Sequence, residues 1–557
     1  MSRDQLQQHR RTVELVIIKI IGGNVKTSSA TPIEVGEEMV AGFAKKGLGQ
    51  VKPATRSERG FGPFNRLVLR GITVIDGTGA PPWGPADIVV ENGLITEIAA
   101  VGVPGLPINP ERRPAKGVHE IDCHGKFATP GFIDCHAHIG TPFHAESGEM
   151  LPADYVYKLW LAHGVTSVRE AGCMNGLAWT CEQQKSAAEY AIDAPNLYPY
   201  VYFPAVNDYL KVIYNPEQGR EWLRQVRDKG ACGVKFFGSP PAIMEAALDE
   251  CKKLGLKTCC HHAQLSVGRM NALKTAKWGL TSTEHSYGLP EALMEGSTLQ
   301  FIDDDYNYND EYIRFATAGR TFLQATKPGS QKWNEVLEAF LEVGHTFVPT
   351  MNVYDSNRDV MRARRADWHD AYTDSTSWNY FQPQRGGHGA YFFRWSTKNE
   401  LEWKESFRIW MQFLNEYKNR GGRVCPGSDS GFMFQVYGFG YVRELELLQE
   451  AGFSPQEMLR AATLQGAELL GIEHKTGTLE VGKEADILIH NQNPMTDFKL
   501  LYGTGAVRLN DETNVAERKR CLEFTIKGGV VFDTEELLSD VRQMVGETWS
   551  DDQRPRA

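Results

Sequence analysis

Apolar and polar positions follow two textures along this chain. From Leu67 the text is short and strand-like. Leu67-Val68-Leu69-Arg70-Gly71-Ile72-Thr73-Val74-Ile75-Asp76 reads as one strand. Ala86-Asp87-Ile88-Val89-Val90-Glu91 and Leu94-Ile95-Thr96-Glu97-Ile98 follow, with Asn92-Gly93 between them as a hairpin turn. The texture returns at Ala485-Asp486-Ile487-Leu488-Ile489 and Phe524-Thr525-Ile526-Lys527-Gly528-Gly529-Val530-Val531. The centre instead alternates strands with helical text such as 221–229 and 243–254. Its strands are expected near 127–136, 165–170, 198–203, 232–237, 256–262, 280–285, 346–351 and 423–429. Alternation of this kind implies a parallel sheet. The expected architecture is α/β: a (β/α)8 TIM barrel with a small β-sandwich built from the segments flanking it.

The corresponding domains are an N-terminal extension at 1–66, a composite β-sandwich from 67–126 and 475–535, a barrel at 127–474 and a C-terminal tail at 536–557. The extension ends in the connector Arg56-Ser57-Glu58-Arg59-Gly60-Phe61-Gly62. The apolar run 13–21 follows Arg10 and Arg11, but Glu14 and Lys19 interrupt it, so it reads as an extra strand rather than a signal peptide. The stretch from about 291 to 422 is too long for its single strand and carries an insertion. Trp368, Tyr372, Trp378, Tyr380, Phe381, Tyr391, Phe392, Phe393, Trp395 and Trp403 are expected to pack that insertion, or to wall a pocket over the site.

Composition narrows the classes. The 557 residues are 41% hydrophobic and 23% charged, ordinary for a soluble globular chain, and the net charge of −10 leaves no basic footprint for nucleic acid. No apolar run approaches the length that spans a bilayer. Ten cysteines form no CxxC pair and no regular framework, which suits reduced thiols and a cytoplasmic location. Cys259-Cys260 beside His261-His262 reads as small buried residues on a strand rather than as a Cys/His metal site. The expected partners are a small-molecule substrate and further copies of the chain, with no nucleic acid and no membrane.

The candidate chemistry begins at Pro130-Gly131-Phe132-Ile133-Asp134-Cys135-His136-Ala137-His138. Histidines at i and i+2 of a strand share a face, and two neutral imidazoles at a strand end make half a site for a borderline metal. Barrel enzymes place reactive groups at C-terminal strand ends. Other expected strand ends offer Lys235 in Gly233-Val234-Lys235-Phe236-Phe237-Gly238, His261-His262, Glu284-His285 and Asp429 in Gly427-Ser428-Asp429-Ser430-Gly431. A lone strand-end lysine is usually a solvated charge and a lone histidine a satisfied polar residue; the joint occurrence is what argues for one site.

From about Leu67 to Val531 this set resembles the amidohydrolase superfamily, and most of all its imidazolonepropionase-like and Xaa-Pro dipeptidase-like branch. Gly164-Val165-Thr166-Ser167-Val168-Arg169-Glu170-Ala171-Gly172, Glu444-Leu445-Glu446-Leu447-Leu448 through Ala461-Ala462-Thr463, and Gly477-Thr478-Leu479-Glu480-Val481-Gly482-Lys483-Glu484-Ala485-Asp486 carry the resemblance further. It implies two divalent metals, zinc above all. His136, His138 and Asp429 would hold the first, His262 and His285 the second, and Lys235, carboxylated on its amine, would bridge them. His262 is chosen because Ala263 follows it, as in the family's His-Ala; His261 is the alternative. The implied mechanism is attack of metal-activated hydroxide on an amide or other C–N bond of a small molecule, dipeptide or N-acyl amino acid. Asp429 would shuttle the proton.

Arg169 and Gln264 are candidates for substrate contact; the competing role for Arg169 is an ion pair with a neighbour such as Glu170 or Asp429. Two departures from the branch bear on substrate. Gln264 stands where a His or Tyr is common, and no Gly-Gly-His loop is apparent around 201–210, although Gly386-Gly387-His388-Gly389 occurs in the insertion. The competing functions are a mononuclear cyclic amidohydrolase or deaminase, against which Lys235 argues, and a non-enzymatic scaffold, which would have eroded ligands.

Overall fold

The computed structural model describes residues 51–56, 59–206, 209–210, 213–296, 301–383 and 388–550; the strand expected at 13–21 lies outside them. Eight strands form one parallel sheet in chain order: Phe132–Ala137, Val165–Gly172, Asn196–Tyr202, Gly233–Phe236, Lys257–His261, Ser282–Glu284, Thr346–Val348 and Arg423–Val424. The chain beyond the eighth strand returns to the first. Cys135 N donates to Pro426 O (3.0 Å) and Asp429 N to His136 O (2.7 Å). This is the arrangement of a TIM-like barrel. The second strand is buried along its whole length, as expected where helices cover one face and a core fills the other.

The helices form for local reasons as well as through packing. In Pro216–Asp228, Asn215 accepts a hydrogen bond from Gln218 N, proline sits in the first turn, and Gly219, Trp222, Leu223 and Val226 make a buried stripe. Trp222 packs with Val234, Phe236 and Cys260 in the layer between strands and helices.

A second, nine-stranded sheet combines the two ends of the described chain. Its main path runs Gly60–Phe61, Val530–Asp533, Leu522–Lys527, Ile487–His490, Phe127–Pro130, Leu67–Val74, Trp83–Glu91, Leu94–Ala100, and His119–Asp122 pairs with Leu67–Val74. The expected Asn92-Gly93 turn is present, both residues having positive φ (51° and 78°). Where a sandwich is expected, the hydrogen-bond ladder is a single continuous sheet. Register shifts at Leu69/Ile72 and Ile72/Val74 let Leu67–Val74 change its partner on one side from His119–Asp122 to Phe127–Pro130.

Two further expectations change. The strand read at 127–136 is two strands: Phe127–Pro130 belongs to the nine-stranded sheet and Phe132–Ala137 opens the barrel. The break is at Gly131, whose N–H bonds Asp486 O (2.9 Å) rather than the barrel ladder. The tail at 536–557 contains most of a helix, Thr534–Thr548. Asp533 caps it, Leu537, Leu538, Val541 and Val545 bury one face, and Asp540 Oδ2 accepts from Lys158 Nζ at 2.7 Å. Among the described residues no helix is long and apolar enough to cross a membrane, and all ten cysteines are unpaired.

Gly131 gives the fold its sharpest steric test. A Cβ there would sit 2.1 Å from Thr166 Oγ1. Gly131→Ala is expected to destabilise the protein by about 1–3 kcal/mol, read as a lowered thermal midpoint. Adding Thr166→Ala recovers part of the loss, and an unchanged midpoint in the single variant would refute the contact.

Candidate metal centre

The mouth of the barrel is held by backbone that few residues adopt without a reason. His285 (φ 62°), Thr350 (φ 49°) and Asp429 (φ 45°) all lie in the left-handed region, at a cost of order 1–3 kcal/mol each. Tertiary hydrogen bonds fix two of them: His285 N donates to Val348 O (3.0 Å), and Asp429 N to His136 O. Asp134 ties the same strands together, its Oδ1 accepting from His136 N (3.2 Å) and Ser428 N (2.9 Å). Gly427 lets the eighth-strand loop close on the first strand, since a Cβ there would meet His136 Cβ and Val348 Cγ1 at 2.7 Å.

These constraints gather most of the candidate residues. His136, His138 and Asp429 present ligand atoms within 4.8 Å of one another, all buried. Asp429 Oδ1 is 3.3 Å from His138 Nε2 and 3.8 Å from His136 Nε2, and Oδ2 is 3.9 Å from His285 Nε2. Lys235 Nζ donates to His136 Nε2 at 3.2 Å and is 1% exposed.

The hydrogen bonds assign the imidazole protons. His136 Nδ1 faces Glu284 Oε2 at 2.5 Å, so the proton is on Nδ1 and the Nε2 lone pair points into the centre. The Thr350 hydroxyl donates to Pro349 O, so His285 Nδ1 must donate to Thr350 Oγ1 (2.5 Å), again leaving Nε2 bare. Burial and then the Lys235 charge keep His136 well below the usual histidine range; burial and then His136 do the same for His285. Burial also opposes charge on His138, but Asp429 and Glu170 overcome it and raise the ring to about 9. Asp429 is lowered to about 2 despite burial, chiefly by His136 and His138. The His136 and His285 Nε2 lone pairs beside the ionised Asp429 call for positive charge among them, which the Lys235 and His138 charges supply and a divalent metal would also supply. Nitrogen and carboxylate donors whose other ring nitrogens are held from behind fit a borderline divalent metal.

One expected ligand is displaced. His262 Nε2 donates to Thr275 Oγ1 (2.8 Å), whose own proton goes to Ala272 O, so this ring lies in the helix layer. His261 takes its place beside the centre. It stacks on Phe237 (4.2 Å) and Tyr287 (4.8 Å) and meets His285 edge-on at 4.5 Å. The reason is the two-residue period of the fifth strand. Cys259 packs inside the barrel with Cys135, Tyr200 and Val348, whereas Cys260 packs outside with Trp222 and Met244. His261 therefore continues the inner face and His262 the outer one.

Arg169 is also not free for substrate. Fully buried, it donates to Glu284 Oε2 (2.6 Å) and Ser282 Oγ (3.0 Å), so its ion-pair partner is Glu284 rather than Glu170 or Asp429. Gln264 follows the fifth strand, and its buried Nε2 makes no hydrogen bond. The sequence places Glu284 at a strand end and Glu170 beside Arg169 but does not show that either faces an imidazole of the centre. Glu170 Oε2 accepts from Ile139 N (2.7 Å), and Oε1 faces His138 Nδ1 at 3.5 Å. The available signal was period two: Ser282 and Glu284 share the inward face of the sixth strand.

Comparison with known proteins places this arrangement. Residues 410–531 match the model of the amidohydrolase family. Over that stretch the chain is similar to the amidohydrolase family. Rat dihydropyrimidinase is 25% identical over 293 residues, which are 50% of this chain and 53% of that protein. The dihydroorotase of Geobacter metallireducens is 27% identical over 252 residues, 42% of this chain and 51% of that one. The chain thus spans about half the length of these relatives. A Xaa-Pro dipeptidase solved with bound methionine has a similar fold, with a TM-score of 0.54 and 17% identity over 84% of this chain and all of that one.

Two substitutions separate the histidines. His261→Asn is expected to weaken zinc binding more than about tenfold, and His262→Asn to leave zinc content unchanged, by titration calorimetry and metal analysis. A larger effect from His262→Asn would return the ligand role to that residue.

Proposed function

We propose that this chain is a metal-dependent hydrolase that cleaves an amide or other C–N bond of a small molecule, dipeptide or N-acyl amino acid. The observation that carries this reading is the buried meeting of bare imidazole nitrogens with Asp429 and Lys235. In this proposal His136, His138 and Asp429 hold one divalent metal, most simply zinc, and His261 and His285 hold a second. Lys235 Nζ, if carboxylated by carbon dioxide, would offer anionic oxygens to the metals; an unmodified ammonium would be repelled by two cations. Bound metal supplies a Lewis acid and a hydroxide nucleophile near neutral pH. Similarity to the amidohydrolase family supports the choice of bond, and the imidazolonepropionase-like and Xaa-Pro dipeptidase-like branch is the proposed place within that superfamily.

The chain's own residues do the rest. Asp429, kept ionised by the surrounding cationic groups, takes the proton of the attacking water and returns it to the leaving nitrogen. Glu284 holds the His136 tautomer from behind, and Arg169 holds Glu284. Thr350 fixes the His285 tautomer in the same way. Burial excludes bulk water and strengthens each of these interactions. A one-metal reading rests on the compact group of His136, His138 and Asp429, which is complete by itself.

Zinc-loaded protein tested on dipeptides, N-acyl amino acids, lactams and esters is expected to cleave a C–N bond; activity confined to esters or lactones would contradict the proposal. Asp429→Asn is expected to lower kcat by about 10²–10⁴-fold. Lys235→Ala is expected to reduce zinc from about two per chain to one. One tightly held zinc that persists in Lys235→Ala, with wild type also binding one, would select the mononuclear reading.

A further inference from the structure

The group proposed first for a substrate carboxylate, Arg169, is committed to Glu284, yet a second buried arginine lies on the insertion. Arg314 lies on the insertion helix Glu311–Ala318, capped by Asp310, and is 9% exposed. Its guanidinium sits against the rings of Phe315 (4.7 Å) and Tyr308 (5.0 Å). Its carboxylate contact is monodentate: Nη2 donates to Glu311 Oε1 at 3.1 Å. Glu311 is shared, since His388 Nδ1 lies 3.0 Å from both of its oxygens. Among the described residues the buried Arg314 Nε has no hydrogen-bond partner. A buried guanidinium with an unused donor is costly unless an acceptor arrives.

The surroundings tie this cluster to the candidate centre. Phe315 stacks on Tyr391 at 3.9 Å, and His388 packs 5.5 Å from Phe432, which meets His138 edge-on at 6.3 Å. On the other side Tyr287 stacks on His261. Through Phe315, His388 and Phe432 the cluster adjoins the His138 side of the centre.

We propose that Arg314 is a specificity-determining residue that pairs with a carboxylate of the substrate, with Glu311 and His388 holding the guanidinium in place. The inference rests on the hydrolase reading and names its substrate class: an amide that carries a nearby carboxylate. The planar fork of arginine suits such a group because it offers parallel N–H donors.

The test uses full-length, zinc-loaded protein with N-acetyl-L-phenylalanine and N-acetyl-L-leucine, each beside its uncharged C-terminal amide. Dissociation constants come from calorimetry and kcat/KM from product release. Wild type is expected to prefer each acid. Arg314→Met is expected to weaken the acids about 100-fold and the amides less than about threefold, with zinc content and circular dichroism unchanged. If Arg314→Met does not fold, Arg314→Lys keeps the charge without the fork and is expected to lose about tenfold on the acids alone. Equal losses on acid and amide, no loss in either variant, or no acid preference in wild type overturns the anchor. Cleavage of acids and amides alike, independent of Arg314, sinks the anchor and leaves the hydrolase reading. Arg314-dependent binding of the acids without cleavage of any C–N bond sinks the hydrolase reading and leaves the anchor.

Discussion

The candidate centre depends on one buried carboxylate. Glu284 has no solvent exposure and receives Arg169 and His136 on the same oxygen, while Ser282 Oγ donates to the other at 2.6 Å. Burial opposes the charge on Arg169, but the Glu284 carboxylate overcomes it and holds the guanidinium above its usual range. An ion pair inside a barrel is poor value as a source of stability, because desolvation offsets most of its attraction. Its clearest physical effect here is on direction. With Glu284 behind it, His136 carries its proton on Nδ1 and points a lone pair toward Lys235 and Asp429. A neutral residue at 284 would release the ring and leave the Arg169 charge uncompensated.

Much of this was legible in the sequence. The eight strand positions, the Asn92-Gly93 turn and the return of the β-texture near residue 485 follow from periodicity and turn chemistry, which act over a few residues. The signals that failed are those set by contacts across the fold. The break at Gly131 reflects Thr166 and Asp486, neither adjacent in sequence. The helix Thr534–Thr548 has local signals of its own: Asp533 before Thr534-Glu535-Glu536 is a helix start, and Leu537, Val541 and Val545 are spaced for one buried face.

The site was partly legible in the same way. His136, His138, Lys235, His285 and Asp429 are brought together, as strand-end reasoning anticipates. His262 is not, although the two-residue period was correctly applied to the pair. What the sequence did not supply was the face occupied by Cys259, which only the Lys235–Cys259 register and the barrel core define. The ion-pair partner of Arg169 was not legible for a related reason, since Glu284 comes from the sixth strand, more than 100 residues away. The insertion aromatics do pack one another, with Tyr354 stacked on Trp403 at 5.6 Å, and Tyr354 also reaches His285 at 5.6 Å. Packing the insertion and walling the candidate centre are thus served by the same rings.

The most direct measurement is anomalous diffraction at the zinc edge from crystals of zinc-loaded protein. The account predicts one peak among His136, His138 and Asp429, a second beside His261 and His285, and density extending from Lys235 Nζ between them. Peaks outside the barrel mouth, or zinc bound by His262, would contradict it.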